Sequence, residues 1–244
     1  MSPSDSGKPS SFLTTSWSMV RGVGAEDSDA RRDALTRLCE AYWYPLYAFV
    51  RRRGYRADDA SDLVQGFFAQ VLAAPDFGGL SPEGGRFRAW LLACLKHYLE
   101  HERRRGARLK RGGGRVSLSI DFAVAHRRFE LETKKEETPE GHFERAWGLA
   151  LLDRAMDTLQ KEYEARGRGT VFGALRPELS RGSGGPGYAQ RAAAANMTEG
   201  AFKVAVHRLR QDFAQRLRTE IADTVTSASG VEEELAALFR ALGN

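Results

Sequence analysis

The sequence predicts an all-α protein with two helical domains joined by a long linker. Apolar residues recur at steps of three and four in long blocks, and loops rich in Gly, Pro or charged residues separate these blocks. One short stretch, residues 116–122, alternates as a strand does, but a single strand has little to pair with. Periodicity is weak from residue 106 to about 142. A gap of that length is unusual inside one compact domain, so it favours two domains.

The chain divides into five segments on these criteria. The first segment is polar and Ser-rich, lacks the apolar core of a signal peptide, and is expected to form a loose tail. The last segment carries an amphipathic block over residues 231–242 and is expected to dock on the rest of the chain. The predicted segments are a tail (1–16), a first domain (17–106), a linker (107–142), a second domain (143–220) and a C-terminal extension (221–244).

Three amphipathic helices are expected in the first domain. The first contains Pro45 and ends at Gly54, which is a helix-stop signal. The second follows an acidic N-terminal pair, and the third follows a loop rich in Pro and Gly. Their approximate bounds are residues 29–53, 57–73 and 86–105. In the second domain, helices are expected at about 143–166 and 171–179.

A helix-turn-helix pattern follows in the second domain. A short helix is expected from Tyr188 to Ala195, with Asn196 and Met197 in the turn, and Thr198 as the N-cap of a longer helix. On the longer helix, one apolar stripe is expected to be buried and the opposite face to meet a partner. The stripe comprises Phe202, Val206, Leu209, Phe213 and Leu217.

The face opposite this stripe has the composition of a DNA-reading surface. Its cations suit phosphate, and its small and polar side chains suit base edges in the major groove. The candidate contacts are Thr198, Lys203, Val204, His207, Arg208 and Arg210. Two amphipathic helices with a turn are also common in all-α proteins that bind no nucleic acid, so that alternative stays open.

A basic cluster lies at the end of the third predicted helix. Seven of the thirteen residues from Arg103 to Arg115 are Arg or Lys, and residues 112–114 are glycines. Cations at a helix C-terminus offset its dipole, which explains two or three of the seven. The remainder fit a nucleic-acid backbone. Trp90 and Tyr98 on the same helix are candidates for stacking on unpaired bases, although core packing explains each as well.

The residues offer no catalytic or metal-binding constellation. The two cysteines have no paired spacing, and His97 and His101 lack both the HExxH order and a third ligand. Asp58, Asp59 and Asp62 resemble a nuclease metal cluster only loosely. We therefore expect a protein that is not an enzyme and has no cofactor or metal. Because the sequence offers no disulfide framework, a reducing cytoplasm is the expected location, and no apolar run approaches the length of a membrane span.

Three motifs in this order resemble a bacterial RNA polymerase sigma factor of the two-domain extracytoplasmic-function type. Residues 58–68, DDASDLVQGFF, are similar to the family's second conserved region. Residues 86–92, RFRAWLL, which run on into the basic cluster, are similar to the helix that melts the minus-ten element. Residues 188–210 are similar to the helix-turn-helix that reads the minus-thirty-five element. The resemblance covers residues 17–217.

The resemblance implies partners and site residues. The partners are promoter DNA and core RNA polymerase, contacted at the clamp of the largest subunit and the flap of the second-largest subunit. The clamp contacts carry over to Asp58, Asp62, Leu63 and Gln65. The minus-ten contacts carry over to Trp90, His97, His101, Arg103, Arg104 and Arg105, and the minus-thirty-five contacts to the helix-turn-helix face above. The long linker, the C-terminal extension, and Gly66 where the family often has Glu are departures.

The expected function is therefore a sigma factor that directs core polymerase to promoters and assists melting. The alternative is a conventional helix-turn-helix repressor or activator that binds operator DNA and uses its N-terminal bundle to sense or dimerise. A metal nuclease that uses the acidic cluster is a third hypothesis. Regulation by an anti-sigma partner and regulation by the C-terminal extension both stay open.

Overall fold

The regular structure is entirely helical in the residues that the structure describes, which confirms the all-α class. The computed structural model describes residues 28–73, 87–106, 122–132, 137–180, 187–222, 225 and 228–243. A 3-10 turn, Arg176–Leu179, follows α6. The α-helices are α1 Ser28–Arg52, α2 Ala57–Ala73, α3 Phe87–Gly106, α4 Phe122–Glu132, α5 Pro139–Ala165, α6 Gly169–Leu175, α7 Tyr188–Ala194, α8 Glu199–Ala222 and α9 Ala228–Gly243.

Helix α1 forms the centre of the N-terminal core and continues through Pro45. Its second half is buried on nearly every side, because α2 and α5 both pack against it. A helix that is buried in this way is apolar all round. Helix α3 packs beside α2 and adds Phe87, Leu91 and Leu95 to the same core. These three N-terminal helices are confirmed at close to their predicted bounds. The buried run on α1 comprises Leu46, Tyr47, Ala48, Phe49 and Val50.

Helix α4 lies within the segment predicted to be a linker. Its Phe129 is buried, with its ring edge-on to Tyr47 at 6.4 Å between centroids. The Arg51 guanidinium lies 4.8 Å from the Phe129 ring centroid and its Nη2 lies 3.0 Å from Glu130 Oε1. An eleven-residue helix is marginal alone, so these tertiary contacts stabilise it. The expectation of weak structure throughout 107–142 was wrong for this part, and residues 116–121 of the strand-like stretch lie outside the described residues.

The long helix α5 connects two clusters of buried residues. It begins at the N-cap Thr138, whose Oγ1 accepts a hydrogen bond from Gly141 N at 3.0 Å, with a proline at the first helical position. The first half of α5, through Ala155, belongs to the N-terminal core. From Leu159 onward it belongs to a second cluster with α6, α7 and α8. The two clusters therefore divide within α5, not at residues 107–142, and the division into two domains stays a prediction.

The C-terminal extension contains the expected amphipathic helix, α9, and it docks. Leu235 and Leu238 are buried against α5 and α8. Gly148 of α5 permits this close approach, because a Cβ there would lie 2.8 Å from the Leu238 Cδ1. Helix α9 is therefore part of the core and not an appended tail.

Candidate nucleic-acid interface

The helix-turn-helix has the predicted local geometry. Helix α7 is capped at its C-terminus by Ala195, and Asn196 adopts a left-handed conformation with φ of +53°. Asn tolerates that conformation better than most residues, which explains the turn at this position. The Thr198 Oγ1 then accepts a hydrogen bond from Ala201 N at 3.2 Å, so Thr198 caps α8 as predicted.

The predicted apolar stripe of α8 faces the second cluster. Phe202, Val206 and Leu209 are buried there, and the Phe202 ring meets Tyr188 edge-on at 5.2 Å between centroids. Leu217 is also buried but belongs to the N-terminal core, beside Ile221. The stripe is confirmed, and it holds α8 against both clusters.

The opposite face of α8 is exposed, as expected. Val204 is 51% exposed although it is apolar, and His207 and Arg208 are exposed on the next turn. Lys203 Nζ lies 2.7 Å from Glu199 Oε1, and the hydrogen bond to that carboxylate raises the pKa of Lys203. In a DNA groove the base edges lie between two rows of phosphates. An exposed apolar side chain flanked by cations suits this arrangement, because the cations can contact phosphates while the apolar side chain contacts a base edge.

Arg210 differs from the other predicted contacts on α8. It is half-buried, and its Nη2 donates a hydrogen bond to the Glu178 carbonyl oxygen at 2.7 Å. The buried Glu178 carboxylate in turn pairs with Arg191 of α7, with 2.7 Å between Oε1 and Nε. Arg210 therefore links α8 to the 3-10 turn that contains Glu178, and it is not one of the exposed cations. The sequence did not indicate Glu178 or Arg191, because their contacts are made between separate helices.

On α3, the candidate minus-ten residues His97 and His101 are exposed, and Trp90 is half-buried. The Trp90 ring packs on Phe87 at 5.6 Å between centroids and lies against the N-terminal core. The indole therefore has a packing role in this structure. Because Trp90 is partly exposed, part of its side chain is accessible to a ligand.

The three arginines at the end of α3 are exposed, and each forms an ion pair with a glutamate of the same helix. Arg103 Nη2 and Arg104 Nε each lie 3.0 Å from Glu100 Oε1, and Arg105 Nη1 lies 3.5 Å from Glu102 Oε1. Hydrogen bonds from Arg103 and Arg104 lower the pKa of Glu100 to about 2. The spacing of three and four residues between these charges in the sequence is the signal that predicts such pairs on a helix. The rest of the basic cluster, residues 107–115, lies outside the described residues.

The candidate polymerase contacts lie along α2. Asp58 and Asp62 are exposed, whereas Leu63 and Gln65 are half-buried. Between α2 and α3, Gly66 lies directly beneath the Tyr98 hydroxyl, with no room for a Cβ. Gly66 is therefore explained by the packing of α3, a reason that the sequence did not reveal.

Two further observations concern only the residues that the structure describes. Among them, no three His, Cys, Asp or Glu side chains are grouped so that they hold a metal ion. None of their helices is long and apolar enough to cross a membrane.

Comparisons of this chain with known protein families, with curated proteins and with solved structures found no match. The assignment of a function therefore depends on the motifs and on the geometry of these helices. The exposed face of α8 is the best-formed candidate site, because its cap, its turn and its buried stripe all agree with the pattern in the sequence.

Proposed function

We propose that this chain is a sigma factor that binds core RNA polymerase, directs it to promoters and assists melting of the duplex. It acts in the cytoplasm, where polymerase and promoter DNA meet, and performs no chemistry of its own. The observation that carries the proposal is the exposed face of α8, with Lys203, Val204, His207 and Arg208 on a capped helix behind a tight turn.

Two features outside α8 support a sigma factor over a generic DNA-binding protein. Helix α2 exposes Asp58 and Asp62 beside the half-buried Leu63 and Gln65, a mixed stripe suited to a protein partner. Helix α3 ends in exposed arginines next to His97 and His101. In the proposed mechanism α2 holds the clamp, α3 holds the melted strand, and α8 grips the upstream duplex.

The second candidate is a conventional helix-turn-helix regulator. The pairing of Arg103, Arg104 and Arg105 with Glu100 and Glu102 favours it, because compensated arginines attract a single strand less strongly. A regulator of this kind needs α8 to read an operator but has no use for a strand-holding α3. It also needs no polymerase contact on α2.

Run-off transcription tests the proposal. Purified bacterial core RNA polymerase is incubated with genomic DNA fragments, with and without the full-length chain, and the transcript starts are sequenced. We expect discrete starts that require the chain and that are lost in a Lys203→Ala, Val204→Ala double variant. Lys161→Ala is the control, because it removes one exposed cation from α5, outside the helix-turn-helix.

The outcomes separate the two candidates. Chain-dependent starts are the expected result for a sigma factor. Binding of the chain to duplex DNA without any chain-dependent start would instead establish the conventional regulator. Absence of both DNA binding and chain-dependent starts would contradict both candidates.

A further inference from the structure

A buried arginine joins α9 to α3 and α5. Arg88 is 4% exposed, and its Nε lies 2.7 Å from Glu144 Oε2. Its Nη1 forms an ion pair with Glu234, which is 1% exposed, and its guanidinium lies 4.2 Å from the Trp147 ring centroid. Charges are buried at high cost unless they are paired. Docking of α9 therefore supplies one of the two carboxylates that make this burial tolerable.

A second carboxylate of α9 reaches α8. Glu232 Oε1 lies 3.4 Å from Arg218 Nε, and both side chains are largely exposed. Helix α9 thus places one glutamate against an arginine of α3 and another against an arginine of α8. These two helices are the ones that we propose to contact nucleic acid.

The apolar contacts of α9 are confined to one face of the helix. Leu238 is fully buried, Leu235 and Ala237 are buried, and Val231 and Leu242 are partly buried against the core. Leu238 is seated over Gly148, where no side chain fills the space. A surface helix of this kind can open as a unit at a lower free energy than the whole fold.

We propose that α9 is an autoinhibitory latch whose glutamates occupy Arg88 and Arg218 in place of nucleic-acid phosphates. This inference rests on the proposed function. Carboxylates and phosphates are both preferred partners of arginine, so they compete for the same guanidinium groups. When α9 is docked, Arg88 is covered and α9 brings further negative charge beside α8. When α9 undocks, Arg88 loses Glu234 from its Nη1 but keeps Glu144 at its Nε, and Arg218 loses Glu232, so each arginine has a nitrogen available to phosphate.

This competition has a quantitative consequence. If the undocked form binds DNA and is a minor population, the measured dissociation constant equals the intrinsic one divided by the undocked fraction. A change that raises the undocked fraction must therefore raise DNA affinity by the same factor. Amide hydrogen exchange within α9 reports the undocked fraction independently.

Two variants weaken docking by different means. Glu234→Gln removes the charge that faces Arg88 while keeping the side-chain shape, and we expect α9 amide exchange to rise about tenfold. Gly148→Leu fills the space beneath Leu238 without changing any charge. Asp157→Asn is the control for Glu234→Gln, because it neutralises an exposed carboxylate on α5 with the same change of carboxylate to amide. Each full-length chain is checked by circular dichroism for its helical content.

The experiment measures α9 amide exchange and affinity for a fluorescein-labelled mixed-sequence DNA duplex in each chain. We expect both quantities to rise by the same factor in Glu234→Gln and in Gly148→Leu, and neither to change in Asp157→Asn. Faster exchange without a gain in affinity, or exchange unchanged in both docking variants, would overturn the latch. Absence of DNA binding in every chain would instead contradict the proposed function, and the latch with it.

Discussion

At the scale of single residues, several positions are explained only by contacts between helices. Gly66 on α2 makes room for the Tyr98 hydroxyl of α3, and Gly148 makes room for Leu238 of α9. Both glycines lie inside helices, where Gly ordinarily costs about 0.5–1 kcal/mol relative to Ala. At each position, close approach of a neighbouring side chain offsets that cost.

Gly66 and Tyr98 are expected to be energetically coupled. A methyl group at residue 66 collides with the Tyr98 hydroxyl, whereas the ring carbon that bears this hydroxyl lies at an ordinary 3.5 Å. We therefore expect Gly66→Ala to destabilise the protein by about 1 kcal/mol, and to stabilise it in a Tyr98→Phe background, where only helix propensity remains. Urea unfolding of the four chains gives the coupling free energy, and a value near zero would contradict the contact.

At the scale of elements, the end of α3 shows how local spacing moderates a basic cluster. Glu100 is placed three and four residues before Arg103 and Arg104, so one carboxylate compensates two guanidinium groups. This arrangement leaves α3 less electropositive than its arginine count suggests. Because all three side chains are exposed, the compensation is screened by salt.

The pKa of Glu100 tests this arrangement. In the wild-type chain it is held at about 2 by hydrogen bonds from Arg103 and Arg104. We expect Arg103→Gln with Arg104→Gln to return it toward the ordinary value for Glu, while Arg105→Gln leaves it low, because Arg105 pairs with Glu102. Since the folded pKa is depressed, the ion pairs stabilise α3 above the ordinary Glu pKa and are lost as pH falls toward 2.

The measurement is a pH titration of the Glu100 carboxyl carbon by NMR at low salt. A wild-type pKa near 4.3, the ordinary value, would mean that the pairs do not persist in solution. A low pKa that survives removal of both arginines would mean that something other than these two hydrogen bonds lowers it.

Helix α8 provides a second prediction at the scale of elements. Lys203 carries a cation and Val204 an exposed methyl surface on adjacent positions of one face. We expect Lys203→Ala to weaken binding to all DNA duplexes and to lower the slope of log affinity against log salt by about 0.9, because one phosphate contact is lost. Val204→Ala and His207→Ala should instead change the preference among sequences.

Binding to a panel of duplexes by fluorescence anisotropy at several salt concentrations separates these effects. Lys161→Ala serves as the control for loss of a single exposed cation elsewhere. Equal behaviour of the Lys203, Val204 and His207 variants would contradict the division into phosphate and base contacts.

At the scale of the whole molecule, α5 and α9 connect the two buried clusters. Helix α5 contributes to both clusters, and α9 contacts α5 and α8 while it pairs with Arg88 of α3. The helix-turn-helix is therefore not an independent appendage in this structure. Helices α5, α8 and α9 together pack it against the N-terminal helices.

The sequence predicted the parts of this fold that local signals determine. The turn at Asn196, the Thr198 cap and the bounds of α2 and α7 follow from capping, turn chemistry and periodicity within a few residues. It could not predict α4, whose stability comes from burying Phe129 against distant residues.

In the candidate site, too, local signals predicted exposure but not contacts between separate helices. Exposure of Lys203, Val204 and His207 followed from helical geometry, but the internal role of Arg210 did not, because Glu178 lies 32 residues earlier in the chain. The pairing of Arg88 with Glu234 likewise depends on how α9 docks. Contacts between residues distant in sequence are set by tertiary packing, which periodicity does not encode.

Binding to core RNA polymerase is what distinguishes the proposed sigma factor from a conventional regulator, and a titration of the labelled full-length chain with purified bacterial core enzyme measures it. We expect saturable binding that Asp62→Ala weakens about tenfold or more, because a few central contacts carry most of the affinity of an interface. Asp157→Ala, which removes an exposed aspartate of α5, should leave the affinity unchanged. No saturable binding by the wild-type chain would contradict the proposed function, and the same affinity in the Asp62 and Asp157 variants would contradict the placing of Asp62 in the interface.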